Sequence, residues 1–206
     1  MVLFVVLAAA ALGLDLWSKH VVFADLLGSP AVRQRARSLV AEHGPKLPPD
    51  DALRDIRPHR PVFPGFRLTL STNPGVVFGL PMPPWAVAIA TMLTFGLVGY
   101  FFATSDADAR WVHVALSLVL AGAVGNFYDR MIARVVIPGV AEPITGQVRD
   151  FLDFSQVRLF GINYPYIFNV ADVFLVIGVA MLILHWWVAG RREQKEKANR
   201  PAARSR

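Results

Sequence analysis

The sequence predicts an all-α integral membrane protein, a four-transmembrane-helix bundle carrying a small extracytoplasmic β-rich element and an outer loop. Three observations predict it. Of the 206 residues, 54% are hydrophobic and 17% charged, and the mean hydropathy is +0.44, too apolar for an ordinary soluble domain of this length. Four apolar runs come close to or exceed the roughly 20 residues that a helix needs to cross a hydrocarbon core. Most of the net charge of +6 sits in residues Arg191 to Arg206, where seven basic and two acidic residues directly follow the last of those runs.

The first span runs from Met1 to Leu27 and is interrupted by Asp15 and Lys19. It lacks the basic start and clean cleavage site of a secretory signal peptide, so it is retained as a helix. The second, Trp85 to Phe102, is free of charge and follows Pro83 and Pro84, which suit a helix start. The third runs from Trp111 to Tyr128, and the short connector between them makes the two antiparallel neighbours. The fourth, Tyr166 to Ala189, holds one acid, Asp172, near its beginning. Residues 1–190 read as one polytopic domain and 191–206 as a basic cytoplasmic tail, with Gln194 to Arg206 expected to be disordered.

An even number of spans puts both termini on one side, and the basic tail makes that side the cytoplasm. The outer insert of residues 28–65 opposes this, since Gly28 to Arg67 holds eight basic against four acidic residues. Charge spread over a long loop orients a protein less than charge packed against a helix end, so the tail decides. Within the insert, Ala31 to Glu42 reads as a short basic helix, while Gly44 to Pro49 and Pro58 to Pro64 read as turn-rich and structureless. Phe66 to Thr72 then alternates apolar with polar residues, the mark of a strand.

Ionisable groups at membrane depth are costly and therefore functional candidates. With this topology Asp15, Lys19, Asn126, Asp129, Arg130, Asn169 and Asp172 all fall at the outer end of the bundle, where Asn73-Pro74-Gly75 and Gln147 to Asp153 also lie. A channel would need polar residues through its full depth. Asp25, Arg110 and Lys19 read equally well as charges marking helix ends, Lys19 by snorkelling.

The available chemistry is narrow. No cysteine occurs, so there is no thiol nucleophile, zinc ribbon or disulfide scaffold, and the five histidines lack ligand spacing. His113 and Ser117 lie one helical turn apart, yet no glycine-flanked elbow accompanies the serine, and they read as packing residues. The tail accounts for the basic pI of 10.2, which argues against nucleic acid as a partner. Carboxylates remain. Two held close in a low-dielectric site share one proton, one activating water while the other donates to a carbonyl oxygen, without metal or cofactor.

Five segments resemble those of lipoprotein signal peptidase, or signal peptidase II, a bacterial membrane aspartyl protease family. Asp15-Leu16-Trp17-Ser18-Lys19 is similar to its Asp-Gln-x-Ser/Thr-Lys segment, and Asn73-Pro74-Gly75-Val76-Val77-Phe78-Gly79 to its Asn-x-Gly-x-x-Phe-Gly loop. Ala121 to Arg130 resembles Gly-Gly-x-x-Gly-Asn-x-x-Asp-Arg. Val148-Arg149-Asp150-Phe151 with Asp153-Phe154, and Phe168-Asn169-Val170-Ala171-Asp172, resemble the segments that carry the family's catalytic aspartates. Leu16 in place of Gln, Ala121 in place of Gly, Arg149 where an apolar residue is common, and the long stretch from Gly28 to Pro61 depart from the pattern.

The resemblance implies that Asp150 and Asp172 are the catalytic pair. It further implies that Asn126, Asp129, Arg130 and Asn169 shape the site, that Asn73 and Gly75 contact substrate, and that Asp15 and Lys19 support it. Asp153 competes with Asp150, lying three residues on and on the same face if that stretch is helical. The implied activity is removal of the signal peptide from diacylglyceryl-modified prolipoproteins, before the lipidated cysteine, in the bacterial inner membrane. Prolipoprotein and membrane lipid are the implied partners. A proton-coupled transporter using Asp15, Asp129 and Asp172 is the alternative, and it predicts broken helices and paired repeats.

Overall fold

The computed structural model describes residues 1–44, 46–77, 80–159, 162–163 and 166–199. Along the chain it forms α1 (Val2–Gly28), α2 (Pro30–His43), α3 (Pro49–Ile56), β1 (His59–Phe63), β2 (Phe66–Asn73), β3 (Val76–Val77), β4 (Leu80–Pro81), α4 (Pro84–Thr104) and α5 (Arg110–Met131). The short strands β5 (Arg134–Val135) and β6 (Ile144–Thr145) follow, then β7 (Val148–Asp153), β8 (Arg158–Leu159), β9 (Ile162–Asn163), β10 (Ile167–Phe168) and α6 (Val170–Asn199). Among the described residues, α1, α4, α5 and the Val170–Arg192 part of α6 are long and apolar enough to cross a membrane.

Helix α5 is the centre of the bundle and packs against α1, α4 and α6. Small residues make this possible. A Cβ on Gly122 would stand 2.5 Å from the Ala171 carbonyl oxygen, and one on Gly178 would stand 2.7 Å from that of Ala115, so α5 and α6 approach backbone to backbone. Helix α4 buries only Val98 and turns Trp85, Ile89, Leu93 and Leu97 outward, as a lipid-facing helix must. Exposed Trp17 and Trp85 mark one end of the bundle, and exposed Trp111, Trp186 and Trp187 mark the other, matching the aromatic belts of a spanning protein. Arg191 lies over the Trp187 ring at 4.0 Å, where the polar tail takes over from the span.

The first polar end carries an antiparallel sheet in the order β1-β2-β7-β10. Its apolar side chains share a core with α1 and the insert: Phe23 and Leu26 from α1, Ala36 from α2, Ala52 and Leu53 from α3, Leu70 from β2 and Phe151 from β7. The sequence predicts α2, whose Val32, Ala36 and Leu39 recur at helical spacing and point inward, with Ser29 as N-cap. It offers no element for residues 50–56, where α3 forms, and β1 replaces the stretch from Pro58 to Pro64 expected to be structureless. Two prolines open α3 and Asp50 and Asp51 occupy its first turn, but eight residues are too few to be recognised without the core beneath them. Strand β1 exposes every residue, so no alternation betrays it, and only pairing with β2 defines it.

Two further expectations change. Residues 166–168 do not extend the last span; Ile167–Phe168 is strand β10, and the helix begins only after Asn169. At the far end α6 continues to Asn199 rather than fraying at Gln194, while residues 200–206 lie outside the described residues.

Candidate active site

The site forms where the first turn of α6, the last turns of α5 and the upper half of α1 meet β7. Asn169 caps α6. Its side-chain Oδ1 accepts from the Asp172 backbone N–H at 3.1 Å, and Asp172 Oδ2 accepts from the Asn169 backbone N–H at 3.1 Å. This is a reciprocal capping box spelled Asn-x-x-Asp, legible in the sequence by spacing alone. Another first-turn donor, the Ala171 N–H, goes to Asp15 Oδ1 at 2.9 Å. An intramembrane carboxylate on α1 thus fixes α6 by its N-terminus, where a negative charge is favoured.

The Asn169 amide does more than cap. Its Nδ2 donates to Asp150 Oδ1 at 2.6 Å and to Asn126 Oδ1 at 3.2 Å, while Asn126 Nδ2 donates to Asp172 Oδ1 at 2.8 Å. Asn169 therefore reaches the Asp150 carboxyl through its side chain and the Asp172 carboxyl through its backbone N–H, and the Asn126 amide ties its side chain to the Asp172 carboxyl. Asp150 is 3% exposed and Asn169 fully buried, whereas Asp172 is half-buried, so solvent reaches the pair from the Asp172 side.

A buried cation holds this arrangement from below. Lys19 Nζ lies 2.8 Å from Asp15 Oδ2, 3.0 Å from Asp129 Oδ2 and 3.1 Å from Asn126 Oδ1, which uses all three of its protons. Its side chain is 0% exposed, so the snorkelling expected of it does not occur: three acceptors at membrane depth outweigh the reach to water. Arg149 completes the network with a forked contact to Asp129 Oδ1 at 2.9 and 2.6 Å, and its backbone N–H donates to Asp129 Oδ2 at 3.0 Å. The sequence marked Arg149 only as a departure from a family pattern; a charge beside a motif aspartate was the available signal. Arg130 donates to the Asn126 carbonyl at 3.3 Å, and its Nε is buried without a hydrogen-bond partner among the described residues.

The charges nearly balance. Asp15, Asp129, Asp150 and Asp172 face Lys19, Arg130 and Arg149, so one proton on a carboxylate makes the cluster neutral. Burial, reinforced by the charge of Asp172, pushes the Asp150 carboxyl up to about 8, against the opposing donor from Asn169 and the charge of Lys19.

Asp153 belongs to a different environment. The segment is strand, not helix, so residues three apart point to opposite faces. Asp153 Oδ2 accepts from Arg67 at 2.6 Å and from Thr69 at 2.8 Å, and its Oδ1 accepts from the Ser155 N–H at 2.9 Å. Burial works against its ionised form, but these donors from Ser155, Arg67 and Thr69 prevail and hold its carboxyl down at about 2.

The Asn73 to Gly75 turn stands beside the site. Asn73 pairs with Val148, two residues from Asp150 on the same strand. Its side chain accepts from the Gly75 N–H at 2.9 Å, and Gly75 adopts φ 125°, which favours glycine, with a Cβ there standing 3.0 Å from the Met82 carbonyl oxygen. Phe78 and Gly79 of the same segment lie outside the described residues. His113 bonds Ser105 at 2.9 Å and Ser117 bonds the Val114 carbonyl at 2.7 Å, so the two do not form a catalytic pair with each other.

Residues 7–188 match the family model described as signal peptidase (SPase) II. Lipoprotein signal peptidases are similar over much of the chain. That of Anaeromyxobacter sp. (strain Fw109-5) is 35% identical over 146 residues, 68% of this chain and 61% of that protein. That of Brevibacillus brevis is 37% identical over 131 residues, 63% of this chain and 75% of the relative. Two solved bacterial membrane enzyme structures share the fold. One has a TM-score of 0.59 at 23% identity, covering 98% of this chain and 94% of its own, and the other 0.57 at 25% identity, covering 89% and 91%.

Proposed function

The chain belongs to the signal peptidase II family, and on that premise we propose that this multi-pass membrane protein removes the signal peptide from bacterial prolipoproteins as an aspartic-type peptidase, with Asp150 and Asp172 as its catalytic pair. The observation that carries this reading is Asn169, whose side-chain Nδ2 donates to the Asp150 carboxyl and whose backbone N–H donates to the Asp172 carboxyl, joining two carboxyl groups from separate segments at the helix end that water can reach.

In the resting site the proton resides on Asp150, where burial favours the neutral acid, and Asp172 is the carboxylate that receives donors from Asn126 and the Asn169 backbone. Asp172 takes a proton from water as its oxygen attacks the scissile carbonyl carbon, and Asp150 gives its proton to the carbonyl oxygen. The gem-diol then collapses. The carbon–nitrogen bond breaks, Asp172 delivers its proton to the leaving amine, and a diol hydroxyl returns a proton to Asp150. Lys19, Asp15, Asp129 and Arg130 hold the pair in place, and Asn73 and Gly75 border the bound peptide.

The substrate is the diacylglyceryl-modified precursor, cut before its lipidated cysteine and reaching the site by lateral diffusion in the membrane. Both termini are cytoplasmic and the site faces outward, a reading supported by the basic residues that follow the last span. The transporter alternative has no support: each candidate span among the described residues is one continuous helix, and the family is a peptidase family.

Purified enzyme in proteoliposomes, given a lipidated prolipoprotein, tests the assignment. Asp150→Asn and Asp172→Asn each abolish cleavage while the protein stays folded. Near wild-type turnover by either variant overturns it.

A further inference from the structure

A cleft of about 880 Å³ opens between the insert helix α3 and the sheet, and neither Asp150 nor Asp172 lines it. Its near end is Ser71, the residue directly opposite Asp150 in the β2–β7 ladder, with Pro74 beside it; its far wall is Arg54 and Arg57 of the insert with His59. The backbones of Ser71 and Asp150 lie one strand spacing, roughly 4.8 Å, apart, while Asp153 in the cleft points to the face of β7 away from Asp150, so a peptide reaches the cleft by passing the Ser71–Pro74 end of β2.

The charges inside are lopsided. Asp153 is neutralised by Arg67, and Asp50, which accepts from the neutral Gln147 at 2.8 Å and keeps its charge, stands against Arg54 and Arg57, leaving one net positive charge. Arg54 has only a loose, solvent-exposed contact with Asp51 at 3.6 Å, and the Arg57 side chain has no partner among the described residues. Arg57 is also the one non-glycine residue with positive φ among those described, at 44°, in the helix-terminating position where glycine is usual. The chain thus keeps a long cation at a position where the backbone prefers no side chain at all.

We propose that this cleft receives the polypeptide downstream of the scissile bond, and that Arg54 and Arg57 favour precursors with acidic residues there. The inference rests on the peptidase reading and adds a substrate preference located in the insert.

Three lipidated precursors with the same signal peptide, carrying acidic, neutral or basic residues at roughly the third to seventh positions after the cysteine, test it. Wild-type enzyme cleaves the acidic precursor with a kcat/KM about three- to tenfold above the basic one, and the preference shrinks as salt is added. Arg54→Glu/Arg57→Glu reverses the order, and Arg57→Gly, which suits the backbone, reduces the preference without loss of fold. Equal rates for all three precursors, or a preference untouched by these substitutions, overturn the inference and leave the peptidase reading intact. Failure of folded wild-type enzyme to cleave any precursor overturns both.

Discussion

Asn169 donates to Asp150 at 2.6 Å while its own backbone N–H donates to Asp172, so the residue that starts helix α6 also sets the separation of the two proposed catalytic carboxyls. Helix capping and catalysis are here one structural event. Asn169→Ala removes the cap, at a cost of about 1 kcal/mol in stability, and leaves the buried Asp150 without its donor. Turnover is expected to fall by at least about 100-fold, beyond what the lost stability explains. Asn169→Asp keeps a capping oxygen but adds a third carboxylate, so it restores stability more than activity. Thermal unfolding in detergent and steady-state cleavage separate the two effects.

The raised Asp150 carboxyl makes stability depend on pH with a definite sign. The unfolded chain releases this proton near 3.8, whereas the folded protein holds it to about 8. Between those values the folded state binds more protons, so this group lowers stability as pH rises through the window. Asp150→Asn removes that slope, and the variant gains on wild type in melting temperature between pH 5 and pH 8. Wild-type turnover, which needs the proton, declines as pH climbs through about 8.

Asp153 behaves oppositely. Its carboxyl is held at about 2, so its contribution is complete above the unfolded value near 3.8 and disappears as pH falls through 2. Asp153→Asn therefore costs stability at pH 6 and leaves kcat within a few-fold of wild type. A collapse of kcat in a folded Asp153→Asn protein would mean that the other carboxylate on β7 is the catalytic one.

Arg149 and Asp129 form a forked ion pair between β7 and α5, one residue from Asp150. Arg149→Met leaves Asp129 buried with Lys19 as its remaining ion-pair partner, and removing one partner of a buried pair typically costs about 3–5 kcal/mol. Arg149→Lys recovers little, because a single ammonium cannot reproduce the fork. Unfolding midpoints of the two variants against wild type decide this.

The close approach of α5 to α6 depends on Gly122 and Gly178 having no side chains. Gly122→Val forces α6 away and with it Asp172 from Asn126 on α5, so loss of cleavage and loss of stability appear together. An exposed glycine such as Gly96, with nothing near its Cβ position, tolerates alanine without either effect.

The sequence by itself determined the four spans and the identities of the polar residues at one end. Both are local properties: a run of apolar side chains must leave water, and an aspartate such as Asp172 at a helix start is costly enough to stand out. It also spelled the Asn169–Asp172 capping box, since both partners lie within one turn. Tertiary structure alone decided the rest. Whether Asp150 and Asp153 share a face turned on the strand pairing of β7 with β2, because six residues form a strand only when another strand supplies the hydrogen bonds. The contacts of Lys19 with Asp129, of Asp15 with Ala171 and of Asn169 with Asp150 join segments far apart in the chain, and periodicity carries no information about them. The insert followed the same logic: α3 and β1 exist because the core under Ala52 and Leu53 and the edge of β2 give them something to pack and pair against.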